Sequence, residues 1–211
     1  MRPRTILSLL GSRGLPTFLF GGMAALTGVA ALRSHGAADA AFHALSGGLW
    51  LMFAVLVNVR PTPLRRGTSV SGAAAALGAQ AALIVLGITA GSSGAGVRVV
   101  LGDGLILGGL AFALASVAVL GRCFGVLPDV RGLVTRGPYR LVRHPLYLGE
   151  LLAALGIAAG SQRWTIALGA WAVCLVLQLM RTHYEEATLR AEFPEYATYA
   201  EGTKRLIPGL V

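Results

Sequence analysis

The sequence predicts an all-α, polytopic membrane protein of about six transmembrane helices, with a cytoplasmic polar site formed by the last two helices and the C-terminal tail. Three observations predict it. Of 211 residues, 55% are hydrophobic and only 13% are charged, with a mean hydropathy of +0.70. A soluble domain carries about 25% charged residues and needs them to cover its surface. The apolar residues gather into six runs, each near the length that crosses a hydrocarbon core. The basic residues alternate between the loops: with the N-terminus inside, only Arg33, Arg98 and Arg163 of the 18 Lys and Arg fall outside. That asymmetry is the positive-inside pattern.

The first run, Leu15–Leu32, is longer than the core of a typical signal peptide and is expected to stay as a span. The second is Ala41–Val59, closed by Arg60-Pro61; the third is Val70–Ala90, after Arg65-Arg66. The fourth is Val99–Leu120, with a continuation toward Phe124. The fifth is short, Pro145–Gly160, and the sixth is Arg163–Met180. Lipid offers the backbone no hydrogen bonds, so all six should be helices. Only Ser161-Gln162 separates the last two, which predicts a tight helical hairpin. Glycines four apart, Gly87 and Gly91, Gly104 and Gly108, and Gly156 and Gly160, are expected to let helices approach closely. Gly102-Asp103-Gly104 lacks the third glycine and the preceding strand of a dinucleotide fingerprint.

The formal charge of +9 does not point to nucleic acid, because the basic residues sit in short loops without interleaved aromatics. Cys123 and Cys174 lie in or beside apolar runs and read as small hydrophobes. His35, His43 and His183 share no metal-ligand spacing, so no metal is expected. The chain reads as one membrane domain over residues 1–211, with a four-helix scaffold in 1–124 and the polar site in 125–211.

Two polar clusters interrupt the apolar pattern. Thr135 to Gly149 holds Arg136, Arg140, Arg143, His144, Tyr139 and Tyr147. The hairpin returns a second cluster, Arg181 to Glu186, to the same face. Pro145 suits the first turn of a helix, where its missing N–H costs nothing. The N–H groups of Leu146 and Tyr147 are then expected to be available to a ligand. Arg181 and Glu185 are four apart on one helix face. They either pair with each other or face a ligand anion and cation respectively. The helix should run on from Thr182 to Leu189 into the cytoplasm, and the tail, broken at Pro194, Gly202 and Pro208, should fold back on the helix ends.

LVTRGPYRLVRHPLYLGE, then R-x-x-x-E-E-x-x-L, then F-x-E-Y-x-x-Y and K-R-L-I-P, resembles the isoprenylcysteine carboxyl methyltransferase family. More broadly it resembles the membrane methyltransferases that include phospholipid methyltransferases. The resemblance implies a site for S-adenosyl-L-methionine at the cytoplasmic membrane face and a lipid or prenylated small-molecule substrate. It implies cofactor-binding roles for Arg131, Gly132, Leu133, Val134, Tyr139, His144, Pro145, Leu146, Tyr147 and Glu185. Arg181 would hold the substrate carboxylate, and Cys123-Phe124-Gly125 stands where the family often places another polar contact. Residues 125–211 would then be the methyltransferase core of a multi-pass cell-membrane protein with both termini and the site cytoplasmic.

The chemistry agrees with that implication. A carboxylate nucleophile is already ionised at neutral pH and needs no general base. An amine would need a proton acceptor, for which Glu186 and His183 are the candidates. O-methylation of an isoprenoid-type carboxylate is therefore favoured over N-methylation of a phospholipid amine. The segment Arg143-His144-Pro145 with Tyr147, Gly149 and Glu150 also resembles NADPH-dependent membrane steroid and enone reductases. A transporter is disfavoured, since the apolar runs carry almost no ionisable residues.

Overall fold

The computed structural model describes residues 13–34, 36–67, 69–89 and 96–207. The expectations that rest on Arg2, Arg4, His35, Ala90, Gly91 and Pro208 lie outside the described residues. Six long helices form: α1 (Gly14–Leu32), α2 (Ala37–Val59), α3 (Val70–Thr89), α4 (Val97–Leu120), α5 (Pro145–Gly160) and α6 (Trp164–Glu192). A short α7 (Tyr196–Gly202) follows in the tail. Among the described residues there is no strand, only isolated bridges at Arg65–Val130 and Val142–Lys204. The all-α polytopic class is therefore found.

Five of the helices are long and apolar enough to cross a membrane, and α5 is the shorter sixth apolar helix. Two boundaries fall close to those expected. The fourth run ends its α-helix at Leu120, where Gly121 takes a positive φ of 53° and a 3-10 turn begins. The sixth helix continues unbroken past its apolar part to Glu192, because no glycine or proline interrupts residues 170–192.

The helices do not pack in chain order. α1 lies on α2, α2 on α4, α4 on α5, α5 on α6, and α6 on α3. This arc leaves α1 and α3 facing each other across a groove. The α4–α5 contact is the most extensive and brings backbone against backbone. A Cβ at Gly109 would lie 2.5 Å from Ala153 N and 2.6 Å from Gly149 O; one at Gly149 would lie 2.7 Å from Ala113 N. Gly102 and Gly156 oppose each other in the same way.

The small-residue interface thus runs on spacing seven, Gly102 with Gly109 and Gly149 with Gly156. Of the glycines expected at spacing four, Gly156 and Gly160 both take part, Gly160 N lying 3.2 Å from a Cβ placed at Gly102, while Gly87, Gly104 and Gly108 face open space. Spacing four tracks one helix side only briefly, whereas seven residues come close to two whole turns. Gly109→Ala is accordingly expected to cost about 1–3 kcal/mol by overpacking. Its neighbour Gly108→Ala should leave the thermal unfolding midpoint in detergent unchanged.

The ends of α1, α2 and α4 meet on one face. Arg13 Nη2 donates to Arg60 O at 3.3 Å, and Arg122 Nε donates to Val59 O at 2.9 Å. On this face both polar clusters also assemble.

Candidate active site

The first cluster folds as its residues dictate. Gly137, with φ of 60°, turns the chain into a 3-10 helix over Gly137–Arg140, with Pro138 at its start. His144 precedes α5, and Pro145 occupies the first turn. The His144 side chain makes no capping hydrogen bond to that turn. It turns instead to Glu186, with Nε2 3.2 Å from Oε1, and lies parallel to the Tyr147 ring at 5.5 Å.

Glu186 gathers the whole face. Its carboxylate accepts from Arg143 Nε at 2.8 Å and from Arg205 Nε and Nη2, both at 3.2 Å. The tail completes the assembly through the backbone. Arg143 N donates to Lys204 O at 2.8 Å and His144 N to Arg205 O at 3.0 Å. Arg143 Nη1 donates to Ala200 O at 2.7 Å and also to Thr203 O. Tyr199 OH donates to Tyr139 O at 2.6 Å. Burial pushes the Tyr199 phenol up to about 12, so this donor stays protonated at physiological pH. The tail therefore folds back on the helix ends as expected, with Tyr196 and Leu206 buried.

Between the loop, α5, α6 and the tail lies a pocket. Of the ten residues expected to bind a cofactor, Arg131, Gly132, Leu133, Val134, Tyr139, His144, Leu146, Tyr147 and Glu185 line it. Pro145 is fully buried and does not. Cys123, Phe124 and Gly125 also line it, as do Tyr196 and Tyr199 from the tail. With the tail in place its cavity volume is about 60 Å³.

Two buried donors on the pocket wall have no partner: Arg131 Nη1 and Tyr196 Oη. Arg131 is otherwise held, with Nε on Pro61 O at 3.2 Å and Nη2 on Asp129 Oδ2 at 3.1 Å. Gly125 leaves the space beside Nη1, where a Cβ would come within 2.7 Å. An unmade hydrogen bond of a buried group is costly, and a polar ligand would relieve both. Tyr196 and Tyr199 are the tyrosines of the F-x-E-Y-x-x-Y spacing, the one sequence signal that marks them for this pocket.

Among the described residues Arg181 and Glu185 form no ion pair with each other. Tyr147 stands between them: its OH donates to Glu185 Oε2 at 2.7 Å, while the Arg181 guanidinium lies 4.3 Å from its ring centroid. Arg181 does not line this pocket. It lies in the α1–α3 groove, a largely apolar cavity of about 410 Å³. Phe124, Leu146 and Tyr147 line both spaces and form a thin common wall. Of the proposed proton acceptors, Glu186 is committed to its cations and lines neither space, and His183 is exposed.

Residues 97–195 match the family model described as phospholipid methyltransferase, so the resemblance read from the motifs is borne out from the start of α4 to the start of the tail. The chain is 38% identical over 109 residues to a cobalt-zinc-cadmium resistance protein of Cupriavidus metallidurans, a stretch covering 50% of each chain. It is 35% identical over 81 residues to a nickel-cobalt-cadmium resistance protein of Alcaligenes xylosoxydans xylosoxydans, covering 37% of each. The chain thus matches half or less of the length of these curated relatives.

Proposed function

We infer, from the match of residues 97–195 to the phospholipid methyltransferase family, that this chain is an integral membrane methyltransferase. It uses S-adenosylmethionine in the tail-covered pocket and takes a lipid-like substrate from the α1–α3 groove. The observation that carries this reading is the wall shared by the two spaces, with Glu185 on one side of Tyr147 and Arg181 on the other. Transfer across such a wall brings two reactants together from two solvents, water and lipid.

The residues present fit the cofactor. Glu185 offers a carboxylate for the α-ammonium, and Arg131 Nη1 an unpartnered donor for a carboxylate. Tyr139 and Tyr147 offer ring faces for a sulfonium or a purine. When bound, the cofactor supplies an electrophilic methyl group. The chain's own task is alignment and exclusion of water. Arg181 holds a substrate carboxylate by a planar two-point contact, and Leu146 and Phe124 keep the meeting point dry. With the cofactor bound, the carboxylate held by Arg181 would be the acceptor of that methyl group, and the product would be a methyl ester with S-adenosylhomocysteine left in the pocket. Both charges are neutralised, a change that a low-dielectric wall favours. The favoured product is the methyl ester of an isoprenoid-type carboxylate. Esterifying an anionic membrane head group would also weaken its hold on divalent cations, a route by which such an enzyme would act on metal resistance.

Isothermal titration with S-adenosylhomocysteine and with NADPH tests the assignment: binding of the first and not the second is expected, and the reverse would make the chain a reductase. Glu185→Gln keeps the shape of the side chain and removes its charge. It is expected to weaken S-adenosylhomocysteine by about ten- to a hundred-fold, the worth of one charge-assisted hydrogen bond. Unchanged affinity in the folded variant would remove Glu185 from the site.

A further inference from the structure

The groove holds an acidic side chain for which the reaction above has no use. Glu150, on α5 one turn beyond Leu146, is buried and lines the groove. It also lines a second apolar cavity of about 400 Å³ deeper in the membrane region, which shares Met23, Trp50 and Gln80 with the first. Its Oε2 accepts from Gln178 Nε2 on α6 at 2.8 Å, and Gln80 on α3 donates to it as well. Among the described residues it forms no ion pair, although Arg181 is near enough to act on it through space. Two amides from two helices hold the carboxyl group in place on an apolar wall. Such a group is costly to bury unless something completes its coordination. A guanidinium and a carboxyl group therefore stand side by side where the substrate head must lie, Arg181 nearer the shared wall and Glu150 about 6 Å further along α5 than Leu146.

We propose that Glu150 is a second substrate-binding residue, and that the groove accepts an amphiphile whose head carries an N–H or O–H donor adjacent to its anionic group. This rests on the methyltransferase reading for the reaction, but not for the binding. Arg181 takes the anion and Glu150 the donor, while the chain of the amphiphile continues along the two joined cavities. A plain carboxylate would leave the Glu150 oxygens with their amide partners alone. Selectivity for the donor follows from the same contact, since a site built to bind a polar hydrogen rejects the analogue that lacks one.

Binding to the detergent-solubilised chain, without cofactor, is compared for dodecanoic acid and its α-hydroxy and α-amino derivatives. The two derivatives are expected to bind about tenfold or more tighter than the plain acid. Glu150→Gln should abolish the difference while leaving S-adenosylhomocysteine affinity unchanged. Equal binding of all three acids by the parent chain overturns the proposal, as does a preference that survives in Glu150→Gln. If that variant fails to fold, the comparison on the parent chain decides alone. Donor preference without methyl transfer would overturn the enzymatic reading and keep the site. Methyl transfer without donor preference would do the opposite.

Discussion

Glu186→Gln is expected to weaken docking of the tail by about 3–5 kcal/mol, the usual cost of removing one partner from a buried ion pair. Its carboxylate is 3% exposed and meets Arg143, His144 and Arg205, which come from the loop and the tail. Glutamine keeps one acceptor oxygen but places an N–H₂ group against two guanidinium groups, leaving their charge unopposed. The lower end of the range is the better guide, because the Arg205 side chain is 29% exposed and water screens part of its charge. Hydrogen exchange over residues 196–207 would report the loss as faster exchange, by two orders of magnitude or more. Cofactor affinity should fall with it, since Tyr196 and Tyr199 line the pocket only while the tail is docked. Protection of the tail equal to that of the parent chain would show that the backbone pairing of 142–144 with 204–205 suffices. Glu185→Gln makes the contrast: one residue away but about 100° around the helix, it should alter affinity and leave tail protection intact.

Arg181→Lys is expected to retain S-adenosylhomocysteine binding and to transfer methyl about a hundred-fold more slowly. The guanidinium is buried over the Tyr147 ring and donates to Val126 O at 3.3 Å. Lysine preserves the charge in the groove but is a point donor, unable to hold both oxygens of a carboxylate or to stack on the ring. A reacting oxygen displaced by about an ångström loses the in-line geometry on which displacement depends. Were Arg181 merely a structural partner of Glu185, the two substitutions would have small and similar effects. Normal turnover by Arg181→Lys, or an accepted substrate with no anionic group, would remove the carboxylate clamp while leaving the methyltransferase assignment in place.

Much of this architecture is legible in the sequence because lipid makes length and charge decisive. Pro145 and Gly160 bound α5 as expected, and the apolar runs place α1 to α4 within a few residues. Nine of the ten expected cofactor residues share a pocket because they sit close together on a loop, a helix start and the face of α6 that meets them. What is not legible depends on which helix meets which. The glycines of the α4–α5 contact are identifiable only once Gly109 is known to oppose Gly149. Glu150 reads as an ordinary acid near a helix start until α3 and α6 bring Gln80 and Gln178 to it. Glu185 and Glu186 are chemically identical neighbours, and only the course of the tail assigns one to the pocket and the other to the lock.

The position of α3 bears on how the chain is made. Its principal partner, α6, is synthesised last of the long helices, so α3 enters the bilayer well before the surface it will cover exists. Gly72 waits for Tyr184 and Gly78 for Leu177. In a nascent chain halted after Ser161, α1, α2, α4 and α5 can already join along the arc. On that chain Glu150 has no amide from Gln178, and the groove has one wall in place of two. The window between insertion of α5 and α6 is therefore when the biosynthetic machinery meets a half-built bundle whose Glu150 still lacks its amide partner from α6.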